Sequence, residues 1–210
     1  MIYLDIETVP DQNAIASDAW HRFKQKHGLQ DDAAATHPAF GRVVCYAAYC
    51  TSISRWSVIG GTTDRGGVEK DVLSTLSGLL KEDKQICGHN IKGFDIPFLA
   101  CRYLANGMPL PQPLIVAGKK PWEIQHIDTM ELLRFGGGKR ISLDAACLML
   151  GVPSPKIGRV TSDSVWDAYR NGDMPGICDL CQGDVEALIH VHRKIEAAQR
   201  PVALSGRPAA

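Results

Sequence analysis

The chain has 210 residues, long for one ordinary domain and short for two, so one α/β domain with insertions is expected. An apolar content of 45% supports a real core, and 23 basic against 23 acidic residues exclude a net-basic coat for nucleic acid. Seven cysteines, an odd number set mostly within apolar runs, suit buried thiols in a reducing compartment rather than a disulfide framework.

Residues 2–7 alternate apolar and polar and predict a short strand, with Asp5 and Glu7 on one face, Leu4 and Ile6 on the other, and Pro10 as its end. Residues 11–40 are polar and irregular, with one helix expected at 18–27, and read as an insertion or flap. Residues 42–50 and 53–59 are β-rich runs parted by Thr51-Ser52, which suits an antiparallel hairpin. Apolar residues at 68, 72, 73, 76, 79 and 80 have helical spacing. A short strand at 85–88 and a helix at 94–106 follow, with Pro97 tolerated in the first turn. A strand within 122–129 runs into a helix ending at Arg134. Ser142 caps a helix to Leu150, closed by Gly151 and Pro153. Helices at 164–171 and 175–198 complete a domain expected to span 1–197, with 198–210 a disordered tail. The order implies a mixed β-sheet with helices on both faces. No apolar run nears the ~18 residues that span a bilayer, and no secretory signal opens the chain, so a cytoplasmic protein is expected.

Four acids stand in or beside apolar elements, where an uncompensated charge is costly. A strand presents residues i and i+2 on one face, so Asp5 and Glu7 can address one site; the plainer alternative is an edge strand with a wet face. Asn90 sits in the loop after the strand at 85–88. Asp95 falls in the first turn of the next helix, where an acid is favoured by the dipole and can still face a site. Asp184 shares a helix face with Ile177, Leu180, Cys181 and Leu188, and an acid on an apolar stripe demands a partner or a metal, whereas Glu186 projects to solvent. Acids brought together in this way are best explained by a pair of divalent cations, hence by phosphoryl-transfer chemistry.

Asp5-Ile-Glu7-Thr8, Asn90-x-x-x-Phe94-Asp95 and the late Asp184 together resemble the three motifs of the DEDD superfamily of 3′–5′ exonucleases. His37-Pro38, Gly41-Arg-Val-Val44, His126-Ile-Asp128, Ser142-Leu-Asp144, Ser154-Pro-Lys156 and Asp184-Val-Glu186 carry a closer likeness to predicted exonucleases related to the proofreading domain of family B DNA polymerases. The resemblance implies a ribonuclease H-like fold. Asp5, Glu7, Asp95 and Asp184 would hold two Mg²⁺ or Mn²⁺ ions ~4 Å apart. Thr8, Asn90, Phe94 and Lys156 would contact or orient the 3′ end of single-stranded DNA or RNA.

One motif residue departs from the pattern. A tyrosine four residues before the closing aspartate, or a histidine five before it, marks the two subclasses; here these positions are Leu180 and Asp179. Leucine cannot orient a water. Metal-only turnover at a lower rate, a substitute such as His89 or Cys181, and loss of catalysis with binding retained all stay open. Cys178 and Cys181 form a C-x-x-C without a second pair at zinc-site spacing, so buried thiols are expected. Basic residues thicken between 117 and 160, including Lys119, Lys120, Arg134, Lys139, Arg140, Lys156 and Arg159, as a rim for phosphates or as ordinary surface charge. Trp20, Trp56, Trp122 and Trp166 are expected in the core.

Overall fold

Strand β1, Ile2–Pro10, ends at Pro10 as expected and lies at the centre of the sheet rather than at an edge. The computed structural model describes residues 1–61, 68–154 and 160–200. Strands β2 (Gly41–Cys50) and β3 (Arg55–Gly60) extend the sheet antiparallel on one side of β1. Strands β4 (Ile86–Gly88) and β5 (Ile127–Asp128) extend it in parallel on the other, giving the order β3-β2-β1-β4-β5.

The strand period of two sorts β1 between two cores. Ile2, Leu4 and Ile6 pack with Val72, Leu73 and Leu76 of α3 (Val68–Leu79) and with Ile96, Phe98 and Leu99 of α4 (Asp95–Ala105). Tyr3 and Val9 face the other way, toward Val165 of α7 (Val165–Arg170) and Ile177, Leu180, Cys181 and Leu188 of α8 (Met174–Gln199). A third cluster joins α5 (Thr129–Leu133) and α6 (Leu143–Leu150) to the later turns of α8 through Leu133, Ala146, Cys147, Val191 and Ile195. The sheet is therefore mixed and covered by helices on both faces. No helix among the described residues is long and apolar enough to cross a membrane.

Residues 11–40 hold α1 (Gln12–Ile15), α2 (Asp18–His27) and a 3-10 turn, Asp31–Thr36. Trp20 is fully buried there, its indole N–H donating to Asp31 at 2.6 Å and its ring 5.0 Å from that of Phe40. Gly41 lets this segment approach β2, because a Cβ there would lie 2.7 Å from the carbonyl oxygens of Ala34 and Ala35. Trp166 packs partly buried against the α8 side of the core, whereas two tryptophans differ from expectation. Trp56 is half exposed because β3 is the outermost strand and offers it only Tyr49 as a stacking partner, and Trp122 is 76% exposed in a surface turn.

A β-bulge interrupts the β1–β2 ladder. Glu7 pairs with Cys45 and Thr8 with Val43, so Val44 is the extra residue, and Val44 and Cys45 face α8 in succession. The bulge is tied down by Glu69 on α3. Its carboxylate accepts from the Val43 amide at 2.8 Å, from Arg102 on α4 at 2.8 and 2.7 Å, and from Asn106 at 2.8 Å. Glu69 and Arg102 are both nearly buried, so removing one partner strands the other's charge. Glu69→Ala is expected to lower stability by about 3–5 kcal/mol, seen as a reduced urea midpoint at unchanged slope; a loss under about 1 kcal/mol would mean that the pair is not what fixes the bulge.

Candidate active site

The site forms where the sheet is incomplete. Among the described residues β4 pairs with β1 only at Ile2 and Tyr3, which leaves the second half of β1 open on that side. Asp5 and Glu7 project from this half. Asp95, the first residue of α4, comes to the opening, where the Ile6 backbone amide and its own amide hydrogen-bond its carboxylate. Asp184 arrives from the middle of α8. Ligand atoms of Asp5, Glu7 and Asp184 lie within 4.8 Å of one another, and among the described residues no other group of three such side chains does so. Asp95 is almost wholly buried beside them.

Burial, followed by the charges of Asp184, Asp95 and Glu7, pushes the Asp5 carboxyl well above its ordinary range. Burial and then Asp184 and Asp95 push Glu7 up to about 8. Burial pushes Asp95 up to about 7, held back by the two backbone amides and raised further by Asp128. Among the described residues no lysine, arginine or histidine is one of the groups that lower these three values. Hard oxygen donors crowded without a cationic side chain form the donor set that suits Mg²⁺ or Mn²⁺.

A cavity of about 170 Å³ opens onto the cluster, lined by Asp5, His89, Ser142, Leu143, Asp144, Ser162 and Asp184. A roomier hollow of about 500 Å³, between the end of α3 and residues 109–113, has no carboxylate in its wall. Of the two substitutes for the missing tyrosine, neither offers a ready acceptor to a water. Burial keeps His89 neutral. Its Nε2 donates to the Ile141 carbonyl at 2.8 Å and its Nδ1 accepts from the Thr129 hydroxyl at 2.9 Å. The Cys181 thiol, kept protonated by burial, donates to Asp5 Oδ2 at 3.4 Å and so steadies that carboxylate. Leu180 is 4% exposed within the α8 core and is not part of the cavity wall, while Asp179 is exposed to solvent.

The remaining candidate residues take varied places. Thr8 follows Glu7 at the bulge and is partly buried. Asn90 has φ 64° in the loop after β4, and its carbonyl accepts from the amides of Gly93 and Phe94. Phe94 precedes α4 and packs on the core, 5.4 Å from Phe98. Lys156 and Arg159 lie outside the described residues. Asp128 closes the His126-Ile-Asp128 segment of the family likeness, where the sequence assigns it no role; its carboxylate accepts from the amides of Asn90, Lys92, Met130 and Glu131 at 2.9, 3.1, 3.0 and 3.3 Å. It locks the Asn90 loop onto the start of α5; an acid before Thr129 at a strand-to-helix junction was the available signal. The Cys178-x-x-Cys181 pair gains a neighbour that spacing could not show, Cys45 on β2, whose sulfur is 3.6 Å from that of Cys178.

The sequence profile of a family described as predicted 3′–5′ exonucleases related to the exonuclease domain of PolB matches residues 37–202. The chain belongs to that family. The matched segment holds Asp95 and Asp184, whereas Asp5 and Glu7 precede it. In three dimensions the chain is similar to the family B DNA polymerase from the hyperthermophilic archaeon Pyrobaculum calidifontis. The TM-score is 0.66 at 20% identity, over 93% of this chain and 24% of the polymerase. The chain thus spans about a quarter of that polymerase, and the likeness shows its fold to be ribonuclease H-like. No curated protein matches in sequence.

The raised acids fix a pH dependence. In the unfolded chain they titrate near their ordinary values of 3.8 and 4.5, below Glu7 at about 8 and Asp95 at about 7 in the fold. Between those limits the folded state holds more protons than the unfolded one, so stability is greatest at low pH and falls as pH rises. The melting temperature of the metal-free protein is expected to fall between about pH 5 and pH 8, and Mn²⁺ to raise it more at pH 8 than at pH 6. A cation-independent melting temperature at every pH would remove the metal centre.

Proposed function

We propose that this family member is a metal-dependent 3′–5′ exonuclease that hydrolyses phosphodiester bonds at the 3′ end of single-stranded DNA or RNA. The observation that carries the proposal is the cluster of Asp5, Glu7 and Asp184, with ligand atoms within 4.8 Å and Asp95 beside them. Four acids, of which Asp5 and Glu7 are pushed up by burial and by the charges of Asp184 and Asp95, fit a pair of divalent cations, Mg²⁺ or Mn²⁺. Bound there, such cations supply a water of lowered pKa and neutralise charge on the scissile phosphate and its leaving oxygen.

The chain's own residues place the strand and hold the carboxylates. Cys181 restrains Asp5, and the Ile6 amide restrains Asp95. Asp128 fixes the loop that presents Asn90, while His89 draws the Ile141–Ser142 wall toward the cavity. Thr8, Asn90 and Phe94 would meet the terminal nucleotide, and Lys156 a phosphate. The seven free thiols suit a cytoplasmic protein.

A second reading is favoured by Leu180. With a buried leucine at the tyrosine position and both His89 nitrogens occupied, the water would be oriented by the metal site alone. Turnover would then be slow by the ~10²–10⁴-fold that one positioned proton-transfer group typically contributes, or the protein would bind without cleaving.

Single-stranded DNA and RNA oligonucleotides labelled at the 5′ end separate these readings. With Mg²⁺ or Mn²⁺ a ladder shortening from the 3′ end is expected, lost with EDTA and reduced at least ~100-fold in Asp184→Asn. Intact oligonucleotides at every concentration of folded protein would establish the silent binder instead. If the missing hydroxyl limits the rate, Leu180→Tyr raises it; an unchanged rate places the limit elsewhere.

A further inference from the structure

We propose that Phe135 is a base-stacking platform for the strand that enters the carboxylate cavity, with Lys139 and Arg140 beside it to meet the backbone phosphates. The proposal rests on the nucleic-acid reading of the site and extends it to a subsite outside the three motifs. Single exposed apolar residues are ordinary on protein surfaces, so exposure at 83% is not by itself a signal. The backbone supplies the second observation. Among the described residues Ser54, Asn90 and Phe135 are the non-glycine residues with positive φ. Asparagine is at home in the left-handed region, but for a bulky aromatic the φ of 45° is an outlier, at a position that Gly or Asn would occupy with less strain. Such strain persists where the surroundings over-determine it, and it clusters at functional sites.

The loop holds the ring in this position by hydrogen bonds. The Phe135 amide donates to Leu132 O at 3.3 Å, and the amides of Gly137 and Gly138 donate to Arg134 O at 3.0 and 2.7 Å. Arg134 Nε closes the turn on the Gly138 carbonyl at 3.0 Å. Gly136 continues the turn at φ 84°, and a Cβ at Gly136 or Gly137 would meet nothing within 4 Å, so the turn that follows the exposed ring is uncrowded.

The loop is continuous with the site. Three residues beyond Gly138 comes Ile141, held by His89, and the next three, Ser142, Leu143 and Asp144, line the carboxylate cavity. Phe135 and Ser142 are seven residues apart, a span of at most ~25 Å, so the platform stands within a few nucleotides of the cavity mouth. Charge agrees with the same occupant. A cluster of acids repels a polyanion, and a strand must be drawn in by local cations; Lys139 and Arg140 are both exposed at this rim. Every base offers a π face, so stacking on Phe135 would grip a strand without reading its sequence, as an end-processing enzyme requires.

The test uses 5′-fluorescein-labelled twelve-residue oligo-dT and oligo-U, titrated by anisotropy in Ca²⁺, with the probe checked for integrity by gel. Phe135→Asn suits the left-handed backbone and removes the ring; Phe135→Trp keeps a ring. Phe135→Asn should melt no lower than the wild type and bind the probe roughly 5- to 100-fold more weakly, and Phe135→Trp should bind like the wild type. If the wild type binds and Phe135→Asn binds equally well, the platform is overturned while the exonuclease reading stands. A wild type that binds neither probe overturns both.

Discussion

Mutual repulsion among four carboxylates is the interaction around which the molecule is arranged. Burial with the charges of Asp184, Asp95 and Glu7 raises the proton affinity of Asp5, burial with Asp184 and Asp95 raises that of Glu7, and among the described residues no basic side chain relieves Asp5, Glu7 or Asp95. Separate elements of the fold keep them there. The two strand acids belong to the middle of the sheet, where hydrogen bonds to β2 run on one side. The two helix acids are carried by α4 and α8, which bury their apolar stripes on opposite faces of that sheet. To relax the repulsion by moving an acid, the protein would have to lift a strand or a helix off a core.

Around the charged centre stands a ring of groups whose own needs are already met. Asp128 is saturated by four amides, His89 is bonded at both nitrogens, and Cys181 donates to Asp5. Each is unavailable for proton transfer for the reason that makes it a good restraint. The position of Leu180 sharpens the contrast, because it belongs to the hydrophobic packing of α8 and not to the cavity wall. Chemistry in this site would therefore fall to the carboxylates and to whatever they bind.

Features encoded over a few residues were legible in the sequence. The α6 boundaries follow from the Ser142 cap, whose hydroxyl accepts from the Ala145 amide, and from Gly151, which adopts φ 62°. The facing of Asp5 and Glu7 follows from strand parity, and that of Asp184 from helical spacing along the stripe it shares with Leu180 and Cys181. Features made by contacts distant in the chain were not legible. The central place of β1, the meeting of Cys45 with Cys178, and the role of Asp128 depend on which strands become neighbours. The tryptophans illustrate the same limit. Trp20 and Trp56 are equally apolar, but one lies beneath a packed segment and the other on an outer strand.

The extra residue at Val44 is where β2 departs from strict alternation. With it, Val43 turns toward α3 and α4 while Val44 and Cys45 both turn toward α8. Deleting Val44 would erase the bulge and leave Val43 and Cys45 on their present faces, whereas deleting one residue between Tyr46 and Cys50 would invert every side chain on one side of the cut, setting apolar groups against water. The turn at 51–54, which is exposed, faces no such arithmetic. Insertions and deletions should therefore be filtered by position in this hairpin, freely admitted at its tip, tolerated at the bulge and rejected in the regular ladder, so that relatives of this chain would keep the count of residues from Cys45 to Cys50.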